Sequence, residues 1–328
     1  MSLSSVATFQ PGLFKVVILA LMRALPFHRT AAVVLLLNLF PGSSFAWGND
    51  GHRMINRLAA ANLPQDVPEF LRSDAAIHEI EYLGPEPDRW RSRGEPELSS
   101  AQAPEHFLDL ELADALGPLP RNRLDFEAEV FAHNQRPEKV GLQPWETLEV
   151  WQRLKAALRE YRHLSADKST NPNDLAAVEQ AAVFYAGWLG HYVGDGSQPL
   201  HTTINYDGWV LKENPKGYST AHGIHSRFET QFVSTAIKSD DVSKQMTAPK
   251  VVGGDVFDGY VDYLRRTATQ IEAVYAFDKN GGFSNNGTPE SRSFTAERLA
   301  AGASELRDLI YTAWVRSADP VPEYHPAG

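Results

Sequence analysis

Cysteine is absent from all 328 residues. That excludes a disulfide framework, a thiolate nucleophile and a thiolate zinc site, so any metal must be held by nitrogen and oxygen. Positive charge is also in short supply: 31 Lys and Arg face 41 Asp and Glu, a formal net charge of −10. A broad basic surface that grips nucleic acid by phosphate neutralisation alone needs the opposite balance. Strand-like alternation never persists for more than a few residues, and no fixed-period repeat or block of like charge occurs. What remains is 43% hydrophobic and 22% charged, enough apolar content to build a core and exclude wholesale disorder.

The N-terminal segment reads as a secretory signal. Arg23 and Arg29 precede the apolar run from Ala31 to Phe40, and the small-residue pattern Ser44, Phe45, Ala46 follows it. The run is about ten residues long, short of the roughly 20 that span a bilayer as a helix. A second apolar patch, Val16 to Met22, lies upstream, and residues 22–46 alone make a complete signal, so Met22 is a candidate start. Cleavage after Ala46 exposes Trp47 as a new N-terminus. It removes Lys15, Arg23 and Arg29 and no acid, taking the formal charge from −10 to −13. The expected product is secreted or periplasmic, with a domain over 47–317 and an extended tail over 318–328.

Helical periodicity dominates the rest, predicting an all-α, compact, multi-helix single domain with long loops. Helices are expected over 52–62, 145–163, 222–237, 255–276 and 295–316, and another from an N-cap at Asn173 or Asp174 through Asp195. Polar loops are expected over 84–104, 202–221 and 277–293.

The sharpest chemical signal is GWLGHYVGDGSQPLH, residues 187–201. On a helix His191 and Asp195, four apart, face the same way and can share one metal ion. His201 follows six residues later, and HGIHSRFET supplies a second pair of the same spacing, His225 and Glu229. Upstream stand His52 in WGNDGH, Asp88 in PEPDRWR and His106 in EHFLD. Each has a plain structural alternative: His52 as a helix-flanking residue, Asp88 paired with Arg89 or Arg91, His106 as a core histidine. His78, His133, His163, His222 and His325 read as structural. Asn286-Gly287-Thr288 is a glycosylation sequon, of consequence only in a eukaryotic secretory pathway.

Taken together, the order WGxxGH, Asp, HFxD, HxxxD, QPLH, HxxxE resembles the trinuclear zinc phosphodiesterases, which join bacterial zinc-dependent phospholipases C with fungal and plant single-strand-specific nucleases of the S-one and P-one type. The resemblance runs from Trp47 to Glu229 and implies a compact α-helical domain that hydrolyses P–O esters with metal-activated hydroxide. It implies three Zn2+: one on Asp88, His106, His191 and Asp195; a second on the Trp47 α-amine and carbonyl, His52 and a bridging Asp195; a third on His201, His225 and Glu229. It further implies that Arg91 and Asp109 stabilise charge and orient the phosphate, with Asp195 central to catalysis. Phe107 is either a platform for a stacked base or a core aromatic beside a ligand.

Two substrate classes stay open. The short Trp47 to His52 spacing, Arg91 after Asp88 and the long loop between His201 and His225 favour single-stranded nucleic acid or nucleotides. Glu229, where the nucleases usually carry Asp, the phrase GIHSRFETQFV and the lack of cysteine favour phospholipid head groups. The stretch from His106 to His191 is longer than the family usually spends, which predicts an insertion around 110–145. A third reading is a non-catalytic, zinc-stabilised binding protein; closed structural sites need four protein ligands each, and the third cluster offers three. Neither a stable membrane anchor nor a protein partner is implied.

Overall fold

The computed structural model describes residues 47–321. The signal expected over 1–46, residues 322–328 of the tail and His325 lie outside the described residues. Eight helices frame the fold: α1 (Gly48–Ala61), α2 (Asp74–Leu83), α3 (Gln143–Ala166), α4 (Pro172–Ser197), α5 (224–236), α6 (Val256–Ala268), α7 (Ile271–Lys279) and α8 (Pro289–Arg316). Among the described residues there is no strand, only the isolated bridges Leu108–Gly141 and Tyr206–Gly208. None of these helices is long and apolar enough to cross a membrane.

Helix α4 is the axis. It packs on α1, α2, α3, α6 and α8, and residues 189–197 of its C-terminal half are buried on every side, as expected of a helix enclosed by others. Close approach depends on two glycines. A Cβ on Gly190 would lie 2.0 Å from Asn56 Oδ1, and one on Gly194 would lie 3.0 Å from His52 Nδ1. The buried Asn56 amide donates to Ile80 O (2.8 Å) and Gly187 O (2.9 Å), lacing α1, α2 and α4 together. Sequence thereby sets packing, and packing sets His52 against His191, ring centroids 4.1 Å apart.

Several expected boundaries shift. Helix α4 is capped by Asn171, whose side chain accepts from Asn173 N (3.0 Å), because Pro172 suits the first helical position. The expected loop 84–104 instead holds helical segments Glu86–Trp90 and Pro96–Gln102 and leads into the 3₁₀ turn Ala103–His106. Each has a proline in its first turn, where the missing N–H costs nothing. The single helix expected over 255–276 breaks between Ala268 and Ile271 into α6 and α7. Helix α8 starts six residues earlier than its apolar period suggests, at a capping box between Thr288 and Ser291. The stretch 110–145, where an insertion is expected, forms Leu110–Asp114, Arg123–Ala132 and Pro137–Val140, anchored by Phe126 stacked on Trp145 at 3.9 Å.

Candidate metal centre

Two groups of buried imidazoles and carboxylates lie side by side at the C-terminal end of α4. His191 and Asp195 project from one face of the helix, one turn apart. His191 Nδ1 donates to Gly84 O (2.8 Å), so its Nε2 lone pair points inward. His106, ending the 3₁₀ turn, brings Nδ1 to 2.9 Å from His191 Nε2 and 3.1 Å from Asp195 Oδ2. His52 on α1 places Nε2 3.3 Å from Asp195 Oδ1. Asp195 thus faces imidazoles with both oxygens, the geometry of a bridge. Asp88 Oδ1 stands 3.9 Å from His106 Nδ1 and 4.0 Å from His191 Nε2, and both its oxygens are buried without a hydrogen-bond partner among the described residues.

The second group is built from His201, one 3₁₀ turn beyond α4, and the pair His225 and Glu229 on α5. Helix α5 widens into a π segment at Arg227–Phe232, a distortion frequent at functional sites. His201 Nδ1 donates to His106 O (2.6 Å) and His225 Nδ1 to Tyr206 O (3.0 Å), so the two Nε2 atoms, 3.2 Å apart, face each other. Glu229 Oε2 lies 2.8 Å from His225 Nε2 and 3.7 Å from His201 Nε2. Gln198, fully buried, donates to the same oxygen at 3.1 Å and accepts from Leu200 N at 2.7 Å.

The electrostatics of the two groups differ. In the first, burial pushes the carboxyls of Asp88 and Asp195 well above the usual range, and burial pushes His106 and His191 well below theirs. This group disfavours its own charges until a cation compensates them. In the second, burial acts upward on Glu229, but the charge and hydrogen bonds of His225 and His201 override it and hold the carboxyl at about 2. Burial lowers His225, but Glu229, together with Tyr206 O and the Asp207 charge, raises it above the ordinary value. A proton on His225 satisfies part of this group; a divalent ion satisfies all of it. Convergent lone pairs, orphaned buried carboxylate oxygens and an all nitrogen-and-oxygen donor set fit divalent cations of the zinc type. Three triads have ligand atoms close enough to hold one ion each: His52, Asp88, His191; His106, His191, Asp195; and His201, His225, Glu229.

The other expected site residues are placed as follows. Trp47 is buried, with φ 37°; its indole donates to Gly194 O (2.7 Å) and Ser197 Oγ (2.8 Å), fixing the start of α1 against α4. Arg91 ends the Glu86–Trp90 helix half-buried, and its charge bears on Asp88, Asp195 and His106. Among the described residues its guanidinium has no ion-pair partner. Asp109 stands at the N-cap of Leu110–Asp114; burial, then the neighbouring Glu111 charge, push its carboxyl up to about 7. Phe107 is half-buried, extended and outside the apolar core. His78, His133, His163 and His222 are exposed and belong to neither group. Gln143 and Gln198, which donate hydrogen bonds to His106 O and to Glu229, gave no signal of those contacts beyond the Gln in QPLH.

Two solved structures are similar to this chain at low identity. One is an alpha toxin from Clostridium absonum, with TM-score 0.41 and 16% identity, covering 84% of this chain and 67% of that one. The other is the alpha-toxin of Clostridium perfringens isolated from avian strain SWCP, with TM-score 0.41 and 15% identity, covering 82% and 64%. This chain thus spans about two thirds of each toxin's length. No curated protein matches the sequence. Residues 47–302 match the S1/P1 Nuclease family. With most of the chain inside that match, the protein belongs to the S1/P1 nuclease family and is a metal-dependent hydrolase of phosphoester bonds.

Proposed function

We propose that this chain is a single-strand nuclease and nucleotidase that uses three zinc ions, exported after removal of residues 1–46, with residues 47–317 as the working domain. The observation that carries the reading is Asp195, whose two oxygens face His52 on one side and His106 and His191 on the other. That is the arrangement a carboxylate needs to bridge a pair of ions.

Asp88, His106, His191 and Asp195 would hold one ion, and His52 with Asp195 and the freed α-amine and carbonyl of Trp47 a second. His201, His225 and Glu229 would hold the third. Bound zinc would supply Lewis acidity, lowering the pKa of a coordinated water to about 7 and polarising phosphoryl oxygens. The chain does the rest. Backbone carbonyls of Gly84, His106 and Tyr206 lock three imidazoles in the tautomer that presents Nε2 inward. Arg91, without an ion pair among the described residues, is poised to neutralise the phosphate, and Asp109 to orient it. Phe107 offers a ring face to a base, which in single-strand binders is worth about 1–3 kcal/mol. The acidic surface does not oppose an anionic substrate, because the metal ions are the local positive charge.

The test is hydrolysis by the chain beginning at Trp47 of single-stranded DNA, RNA and phosphatidylcholine in parallel, with and without chelator. Chelator-sensitive cleavage of the nucleic acids supports the reading. Cleavage of phosphatidylcholine alone replaces it with a phospholipase C, and chelator-insensitive cleavage removes the metal from the mechanism. A chain carrying one extra residue before Trp47 is expected to bind one zinc fewer, because its Trp47 nitrogen is an amide.

A further inference from the structure

One buried amide joins the two ligand groups without belonging to either. Gln143, at the start of α3, is fully buried. Its Nε2 donates to His106 O (3.2 Å) and to Tyr192 O (3.1 Å). The two acceptors fix its orientation, since a flipped amide would set Oε1 against two carbonyl oxygens. His106 O is also the acceptor for His201 Nδ1, at 2.6 Å. His106 therefore serves both groups, its ring the Asp195 group and its carbonyl the ring of His201. Around it, Gln143 N donates to Phe107 O (3.2 Å) and Leu108 N to His201 O (3.0 Å), so the 106–108 backbone is pinned between α3, α4 and the His201 turn.

We infer that Gln143 is a positioning residue that couples the two ligand groups, holding the His106 carbonyl where it fixes the tautomer and direction of His201. The inference rests on the ligand groups proposed above. Without the Gln143 donor, the 106–108 segment loses its tie to α4, and the His106 ring and the His201 ring lose registration together. Loss of an outer hydrogen bond of this kind typically costs about 10- to 100-fold in metal affinity.

The experiment is calorimetric titration of zinc into metal-free full-length domain, 47–328, with cobalt absorption as a second readout of imidazole coordination. Gln143→Met keeps the volume and removes both donations. It is expected to weaken the His201, His225, Glu229 group about tenfold or more, with all three ligands intact, and to weaken the Asp195 group as well. His106→Ala keeps the carbonyl and removes the ring; it is expected to lose an ion from the Asp195 group and to leave the third group near wild-type affinity. Unchanged zinc affinities in Gln143→Met, with or without a fall in melting temperature, overturn the coupling and leave only a structural role. A third group emptied equally by His106→Ala also overturns it. Failure of the wild-type domain to bind zinc at all overturns the ligand assignment itself.

Discussion

The imidazoles of His201 and His225 face each other with Nε2 atoms 3.2 Å apart, while a backbone carbonyl holds the proton of each Nδ1. Two lone pairs at that distance, beside the buried carboxylate of Glu229, repel unless a proton on His225 or a metal cation sits between them. Replacing His225 by Ala is expected to reduce bound zinc by one per chain, leave the Asp195 group loaded, and cut kcat by about 10²- to 10³-fold, the usual cost of losing one stabiliser of developing charge. Elemental analysis together with kinetics checks it; an unchanged metal count contradicts it.

Gln198 donates to the same Glu229 oxygen that faces the two imidazoles. Gln198→Leu keeps the shape and removes the donor, so zinc affinity of the third group is expected to fall by about 10- to 100-fold. The Asp195 group is expected to hold its ions. Titration of zinc against a competing chelator separates the two, and equal weakening of both groups contradicts a local role.

Packing carries a prediction of its own. A methyl on Gly190 would overlap Asn56 Oδ1, which is buried and whose amide ties α1 to α2 and α4. Gly190→Ala is therefore expected to lower unfolding free energy by about 1–3 kcal/mol, the usual cost of overpacking a core. Denaturant titration measures it, and an unchanged midpoint contradicts the close approach.

Glu305 on α8 gives a pH dependence away from the metal centre. Burial, and after it the charge of Asp308, hold its carboxyl up at about 7 against an ordinary 4.5. The folded chain keeps a proton that the unfolded chain releases, so stability present below about pH 4.5 is lost as pH rises to about 7. Glu305→Gln is expected to melt higher than wild type at about pH 8 and equally at about pH 4.5. A difference that does not change with pH contradicts the assignment.

The groups that the structure brings together were legible in the sequence because their members come in pairs that obey helical spacing, His191 with Asp195 and His225 with Glu229. Glycines 190 and 194, in the same motif, mark where α1 approaches. The supporting contacts were not legible, because the acceptors that orient His191, His201 and His225 are the backbone carbonyls of Gly84, His106 and Tyr206. A carbonyl has no residue signature. Helix ends were missed for a related reason: Pro87, Pro96 and Pro104 stand in or at the end of the stretch expected as a loop but occupy first turns, and the polar capping box at Thr288 hides the start of α8.

On the proposed function, the groups around Asp195 and Glu229 hold the ions on which phosphoester cleavage depends. Zinc titrated into metal-free protein beginning at Trp47, while cleavage of single-stranded DNA is followed, tests it most directly. No cleavage is expected without metal, and full cleavage is expected to return as three equivalents bind. Undiminished cleavage in chelator, or an inert protein with three zinc ions bound, would contradict it.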